Sequence, residues 1–276
     1  MSSSPSPAVA GHPWRAGPEL GLVVVGHGTA DPVGAAETAA VAAAVAGLLP
    51  GVPVELGFLE IARPSIGEAL AALARRGCTD VVAAPLLLFT AGHAERDVPE
   101  ALRAGALEAG LGVVQADALG AHPDIVHLSR MRREQALADV PPLTTREPPA
   151  AEETVLLMVG RGSSSATARS QLEAFAAAAA PASMRVEVAF VAAARPTLAE
   201  GIAAAASARR VIVQPHLLFR GHVEEQVAAA VHRARTDHPR VDWVLAARLG
   251  ADSLVARAVV GRAAEVAASS GDRRPA

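Results

Sequence analysis

The chain has 276 residues, 51% of them hydrophobic, enough for one large core or for two domains of about 130 residues. Its net charge of −3 excludes the dense basic footprint of a nucleic-acid binder. A single cysteine, Cys78, excludes a disulfide framework and favours a cytoplasmic location.

Residues 1–19 are rich in Ser, Pro and Gly and lack the apolar stretch of a signal peptide, so a disordered arm is expected. No apolar run is long enough to span a membrane. From residue 20 onward, short Val/Leu runs alternate with longer Ala-rich segments. The pattern predicts strands at 20–26, 52–59, 80–88 and 112–116, and helices at 33–48, 64–76, 94–109 and 122–138. Pro64, ahead of "SIGEAL", suits the first turn of the second helix. The strands are apolar without alternation, as expected for strands buried on both faces. Alternating strands and helices imply a parallel sheet between helical layers, with every strand's C-terminal end at one edge.

The chain then repeats itself. "VVVGHGTA" (23–30) returns as "LMVGRGSS" (157–164), and "GFLEIARPSIGEAL" (57–70) as "AFVAAARPTLAEGI" (189–202). "VVAAPLLLFTAGHAERDV" (81–98) returns as "VIVQPHLLFRGHVEEQV" (211–227), and "ALGAHPDIV" (118–126) as "RLGADSLV" (248–255). The offset, about 130 residues, is far too long for a solenoid and indicates a duplicated domain. Expected units are an active lobe at 20–138, a proline-rich linker at 139–153 and a second lobe at 154–268 with a degenerate site.

Parallel α/β sheets bind ligands at the carboxyl ends of their strands. In the first copy His27, Glu60 and His93 each follow an apolar run, where a bare charge would be costly. Two imidazoles and a carboxylate in one crevice can form a divalent-metal site with open positions. Gly26, Gly28 and Gly92 allow tight turns and leave room for something large and flat.

With "GHGTADP", "GFLEIARPSIGEAL", "PLLLFTAGHAERDVPEAL" and "ALGAHPDIV", the sequence resembles the class II metal chelatases, specifically the sirohydrochlorin cobalto/ferrochelatase family. The resemblance runs from about residue 20 to 265 and covers both copies. It implies two tandem chelatase-like, flavodoxin-like α/β lobes, each a small parallel sheet flanked by helices, with a cleft between them. The implied reaction is insertion of Co2+ or Fe2+ into sirohydrochlorin, a tetrapyrrole with eight carboxylates, with release of two protons. Cobalt is favoured by analogy with two-lobed relatives. No cofactor beyond the metal substrate is implied, and no nucleic-acid or membrane partner. Carried over by motif, His27 is catalytic base and metal ligand, His93 the second ligand and Glu60 a third. Leu88, Phe89, Thr90, Ala91 and Gly92 would lie against the macrocycle. Imidazole, with a reference pKa of about 6.5, can hold a borderline divalent ion and then accept a proton.

The second copy departs from this pattern. Arg161 stands where the first has His27, Ala192 where it has Glu60, and only His222 persists opposite His93. Arg161 and Arg220 are read as anchors for substrate carboxylates, with His222 on the substrate side of the same lobe. Arg63 and Arg195, before matching prolines, are further anchors, although Arg63 is also a natural partner for Glu60. His216 reads as a core or lobe-interface residue, and Glu95 and Asp97 as a solvated helix face. His122 and His127 are too far apart in phase for a second metal site. The first lobe's base-and-ligand set favours an enzyme over a carrier that binds metal or tetrapyrrole without turnover. Two lobes in one chain favour a monomer. "GHGTADP" lacks the spacing of a dinucleotide-binding loop, and no nucleophile elbow occurs.

Overall fold

The computed structural model describes residues 19–89, 94–140, 149–163 and 165–271. The expected arm, except Glu19, and the centre of the expected linker lie outside the described residues. The first half runs β1 (Leu20–Gly26), α1 (Pro32–Leu48), β2 (Val54–Phe58), α2 (Ile66–Arg75), β3 (Asp80–Pro85), α3 (Ala94–Ala109), β4 (Gly112–Gln115) and α4 (Pro123–Ala138). The second half repeats the order: β5 (Thr154–Gly160), α5 (Ala166–Ala179), β6 (Arg185–Phe190), α6 (Leu198–Ala205), β7 (Arg210–Pro215), α7 (His222–Asp237), β8 (Asp242–Leu245) and α8 (Ser253–Gly271). Each half forms a four-stranded, all-parallel sheet, ordered β2-β1-β3-β4 and β6-β5-β7-β8. The fold is α/β and two-lobed.

Two expected boundaries shift. Pro64 lies outside α2. The helix is opened instead by Ser65, whose hydroxyl accepts from the Glu68 N–H while the Glu68 carboxylate accepts from the Ser65 N–H. This reciprocal cap satisfies two otherwise orphaned donors. The third strand stops at Pro85 rather than residue 88, because proline brings no N–H and β1 ends beside it. The Leu87 and Leu88 carbonyls then accept from the N–H groups of Leu119 and Gly120 at 2.8 and 2.9 Å.

The unbroken apolar strands serve two cores each. In β1, Val23 and Val25 pack outward with Leu70 and Leu73 of α2, whereas Leu22 and Val24 face a core shared by both halves. In β5, Val155, Leu157 and Val159 face the second lobe's outer core, whereas Leu156 and Met158 face the shared one. Alternation exists in space but not in hydrophobicity, because both faces are dry.

The shared core is closed by an exchange of helices. α4 leaves the first sheet and packs on α5 and β8; α8 returns from the second half to pack on α1, β3 and β4. The exchange is fastened reciprocally. The Arg132 guanidinium on α4 donates to the Leu249 carbonyl at 2.8 Å, and Arg262 on α8 donates to the Leu119 carbonyl at 3.1 Å. These four residues occupy matching positions of the repeat. Buried Arg133 donates to the Ala179 carbonyl at 3.0 Å, and Gln214 of β7 donates to the Ser129 carbonyl at 2.6 Å. Leu128 on α4 is fully buried in the shared core. Leu128→Ala is therefore expected to cost about 2–5 kcal/mol and to lower a single calorimetric transition. A two-step melt with one half intact would contradict a shared core.

Candidate functional site

The C-terminal ends of both sheets open onto one cleft of about 910 Å³, walled by residues of both halves. On the first wall, β1 ends at Gly26 and the chain turns through His27 and Gly28. The loop after β2 is tied to that turn: the Leu59 N–H donates to the Gly26 carbonyl at 2.9 Å and the Glu60 N–H to the His27 carbonyl at 3.0 Å. Backbone bonds thus deliver the carboxylate to the imidazole. His27 Nδ1 lies 3.2 Å from Glu60 Oε1, with both side chains partly exposed. With Nδ1–H donating to Glu60, Nε2 keeps its lone pair for a cation or proton.

The glycine after His27 is dictated by this approach. Gly28 has φ +103°, and a Cβ there would run into the Glu60 carbonyl oxygen. Ile61 sits at φ +65°, inside a three-residue turn in which the Ala62 N–H donates to the Glu60 carbonyl at 2.6 Å. A β-branched residue in that region is strained.

The second wall reproduces the backbone and changes the chemistry. The Val191 N–H donates to the Gly160 carbonyl at 3.1 Å and the Ala192 N–H to the Arg161 carbonyl at 2.9 Å. Gly162 has φ +98° and Ala193 φ +53°. The side chains on this scaffold are Arg161 and Ala192, which leaves a cation and a methyl group. Arg161 is exposed at the cleft and, among the described residues, makes no ion pair.

Other expected site residues divide. Leu88 and Phe89 line the cleft. Thr90, Ala91, Gly92 and His93 lie outside the described residues. Among the described residues no cluster of three or more His, Cys, Asp or Glu side chains forms a metal cage; His27 and Glu60 are a pair. Arg63 does not reach Glu60. Its side chain is 76% exposed and pairs with Glu68 at 2.7 Å, where that carboxylate already caps α2. The Arg63 hydrogen bond and the cap hold the Glu68 carboxyl down at about 2. Arg195 pairs with Glu200 in the same way. His222, 79% exposed at the start of α7, faces Gln226 and Glu225 rather than the cleft. Arg220 lines the cleft, but its guanidinium lies 3.7 Å from Asp31 and from Glu225. Its backbone N–H donates to Glu37, which also binds Arg248 and so joins the lobes at the cleft's edge.

One cleft residue departs from its reading in the sequence: Asp97, expected on a solvated helix face, lines the first wall. His216, expected in the core or between the lobes, is 4% exposed between Phe89 of one lobe and Phe175 of the other, and it also lines the cleft floor. It replaces the apolar Leu86 of the first copy directly after the strand-ending proline.

A family profile described as CbiX matches residues 21–136 and again 155–266. The chain belongs to the CbiX family. A sirohydrochlorin ferrochelatase from Priestia megaterium is 31% identical over 205 residues, 72% of this chain and 73% of the relative. A sirohydrochlorin cobaltochelatase from the same organism is 25% identical over 234 residues, 83% of this chain and 74% of the relative. Among solved structures, SirB from Bacillus subtilis with Fe3+ superimposes with a TM-score of 0.79 at 24% identity, covering 92% of this chain and 98% of that one. SirB from Bacillus subtilis subspecies spizizenii in complex with cobalt gives a TM-score of 0.75 at 22% identity, with the same coverage. These two structures place this CbiX-family chain in the same two-lobed fold.

Two outcomes follow from the site's construction. Gly28→Ala forces the Glu60 loop away from His27. It is expected to lower the thermal midpoint and to break the His27–Glu60 hydrogen bond, observed as loss of the downfield Nδ1 proton signal in NMR; an unchanged signal would contradict the close approach. His216 supplies a pH effect. Burial pushes its imidazole down to about 3, whereas an unfolded histidine titrates at about 6.5. The unfolded chain binds the proton first as pH falls, so this stability is lost from about pH 6.5 towards 3. His216→Phe should flatten that part of the profile of thermal midpoint against pH.

Proposed function

We propose that the protein inserts a divalent cation, Co2+ or Fe2+, into sirohydrochlorin with release of two protons. The observation that carries this reading is the His27–Glu60 pair, 3.2 Å apart on one wall of a cleft whose opposite wall presents Arg161, which makes no ion pair among the described residues. Two family relatives bear the names sirohydrochlorin ferrochelatase and sirohydrochlorin cobaltochelatase.

The residues suit each part of the reaction. Arg161 is a fixed cation suited to carboxylate arms of the macrocycle through paired N–H bonds. The apolar floor around Leu88 and Phe89 suits the flat face of the ring. His27 Nε2 first holds the cation, then accepts a pyrrolic proton as the cation passes to the ring nitrogens. As Nε2 gains a proton, Nδ1 releases one to Glu60, whose exposure opens the way to water. The second proton leaves by the same route once Glu60 has passed its proton to water and the imidazole has reset, giving its Nε2 proton to water and regaining one at Nδ1. His93 is proposed as a second cation ligand on the motif alone. The open ligand set keeps the ion deliverable, since a closed cage would retain it. Arg63 and His222 are not carried into this mechanism, because both are turned to partners outside the cleft. One chain supplies both walls, and we take the monomer as the working unit. Among the described residues no helix is long and apolar enough to cross a membrane.

Imidazole and carboxylate serve either ion, so the metal is chosen by supply as well as by the site; cobalt remains the first to try. The test is multiple-turnover insertion followed by the visible spectrum of the macrocycle at equal free Co2+ or Fe2+. His27→Ala is expected to lower kcat by about 10²–10⁴-fold and Glu60→Gln by about 10–100-fold, with His222→Ala near wild type. Equal damage from His27→Ala and His222→Ala would contradict a site confined to the first lobe. Uptake that stops at one equivalent would favour a carrier.

A further inference from the structure

The cleft floor holds a buried imidazole that the mechanism above does not use. His216 follows Pro215 at the end of β7, and its backbone N–H donates to the Val159 carbonyl at 2.8 Å. Leu86 occupies the same place in the first lobe and donates to the Val25 carbonyl, also at 2.8 Å. The backbone therefore accepts leucine there without change. The His216 ring lies between Phe89 of the first lobe, with centroids 5.0 Å apart, and Phe175 of α5, 4.1 Å apart. Among the described residues neither ring nitrogen has a hydrogen-bond partner, although both are buried.

This arrangement is costly for packing alone. Leaving a buried polar group unpaired is destabilising, and the first lobe shows that the fold does not require the group. Two flanking aromatic rings also hold the imidazole plane. A neutral imidazole can stand in an apolar floor, where a guanidinium would need a counter-charge.

Resting on the sirohydrochlorin reading, we propose that His216 is a substrate-binding residue of the second lobe, its ring N–H donating to a carboxylate arm of the macrocycle at the cleft floor. Arg161 then holds arms at the open side and His216 one at the closed side. The ring is thereby oriented over His27 by two donors on the opposite wall. The second lobe has Arg161 and Ala192 in place of the His27–Glu60 pair, but on this assignment it determines how the macrocycle lies.

The test measures metal-free sirohydrochlorin binding by the change in macrocycle absorbance, together with KM, kcat and the thermal midpoint. His216→Leu copies the first lobe's residue and should fold with an equal or higher midpoint. Its Kd and KM should rise about ten- to hundredfold, with kcat changed much less. His216→Asn, which restores an N–H donor, should recover part of the binding. His216→Phe carries the same measurement should the leucine variant fail to fold. A folded leucine or phenylalanine variant that binds as wild type does would show that the ring only packs, and would overturn the proposal. If wild type itself neither binds nor metallates sirohydrochlorin, the functional reading fails instead, so the two failures are distinguishable.

Discussion

The reciprocal exchange of α4 and α8 is the constraint on which the rest of the molecule depends. A small four-stranded sheet with helices on one face has an apolar second face to cover. Here each sheet's inner face is completed by the last helix of the other half, and Arg132 and Arg262 tie each exchanged helix to the opposite lobe's strand-end loop. This is the self-complementary logic of a two-fold dimer contained in one chain. It prevents the lobes from separating without exposing the shared core. It also sets the two strand-end edges against each other, so that one cleft forms between two walls with the same backbone.

The walls then diverge in side chains alone. Both retain the glycine of positive φ, the paired backbone bonds to the following loop and the strained residue beyond it. One wall carries His27 and Glu60; the other carries Arg161 and Ala192. Proton and cation chemistry need a lone pair, which imidazole has and guanidinium lacks. Holding a polyanionic ring needs fixed positive charge and donors, which the second wall offers. A duplicated scaffold with one chemically active wall suits a reaction in which a single cation replaces two protons on a large flat substrate.

Much of this was legible in the sequence. The strands were readable because burial on both faces makes them continuous Val/Leu runs, and the repeat fixed the two-lobed plan. That His27 and Glu60 share one edge followed from their places just past parallel strand ends, whereas the adjacency of β1 and β2 that pairs them came from the structure. The helix exchange was not legible. Periodicity shows that α4 has an apolar face but not which sheet receives it. The role of Arg63 was missed for a local reason: the S-x-x-E cap at Ser65–Glu68 places a carboxylate 2.7 Å from it, nearer than Glu60. His222 misled because the repeat aligned it with His93, whereas its side chain, on the exposed first turn of α7, faces helical neighbours.

The central claim is that the chain holds its cation through the first lobe alone. Cobalt K-edge X-ray absorption on protein titrated with Co2+, without macrocycle, tests it most directly. One ion per chain is expected, with an imidazole scattering signature that weakens in His27→Ala and is unchanged in Arg161→Ala. Two ions per chain, or an imidazole signature of full strength in His27→Ala, would contradict it.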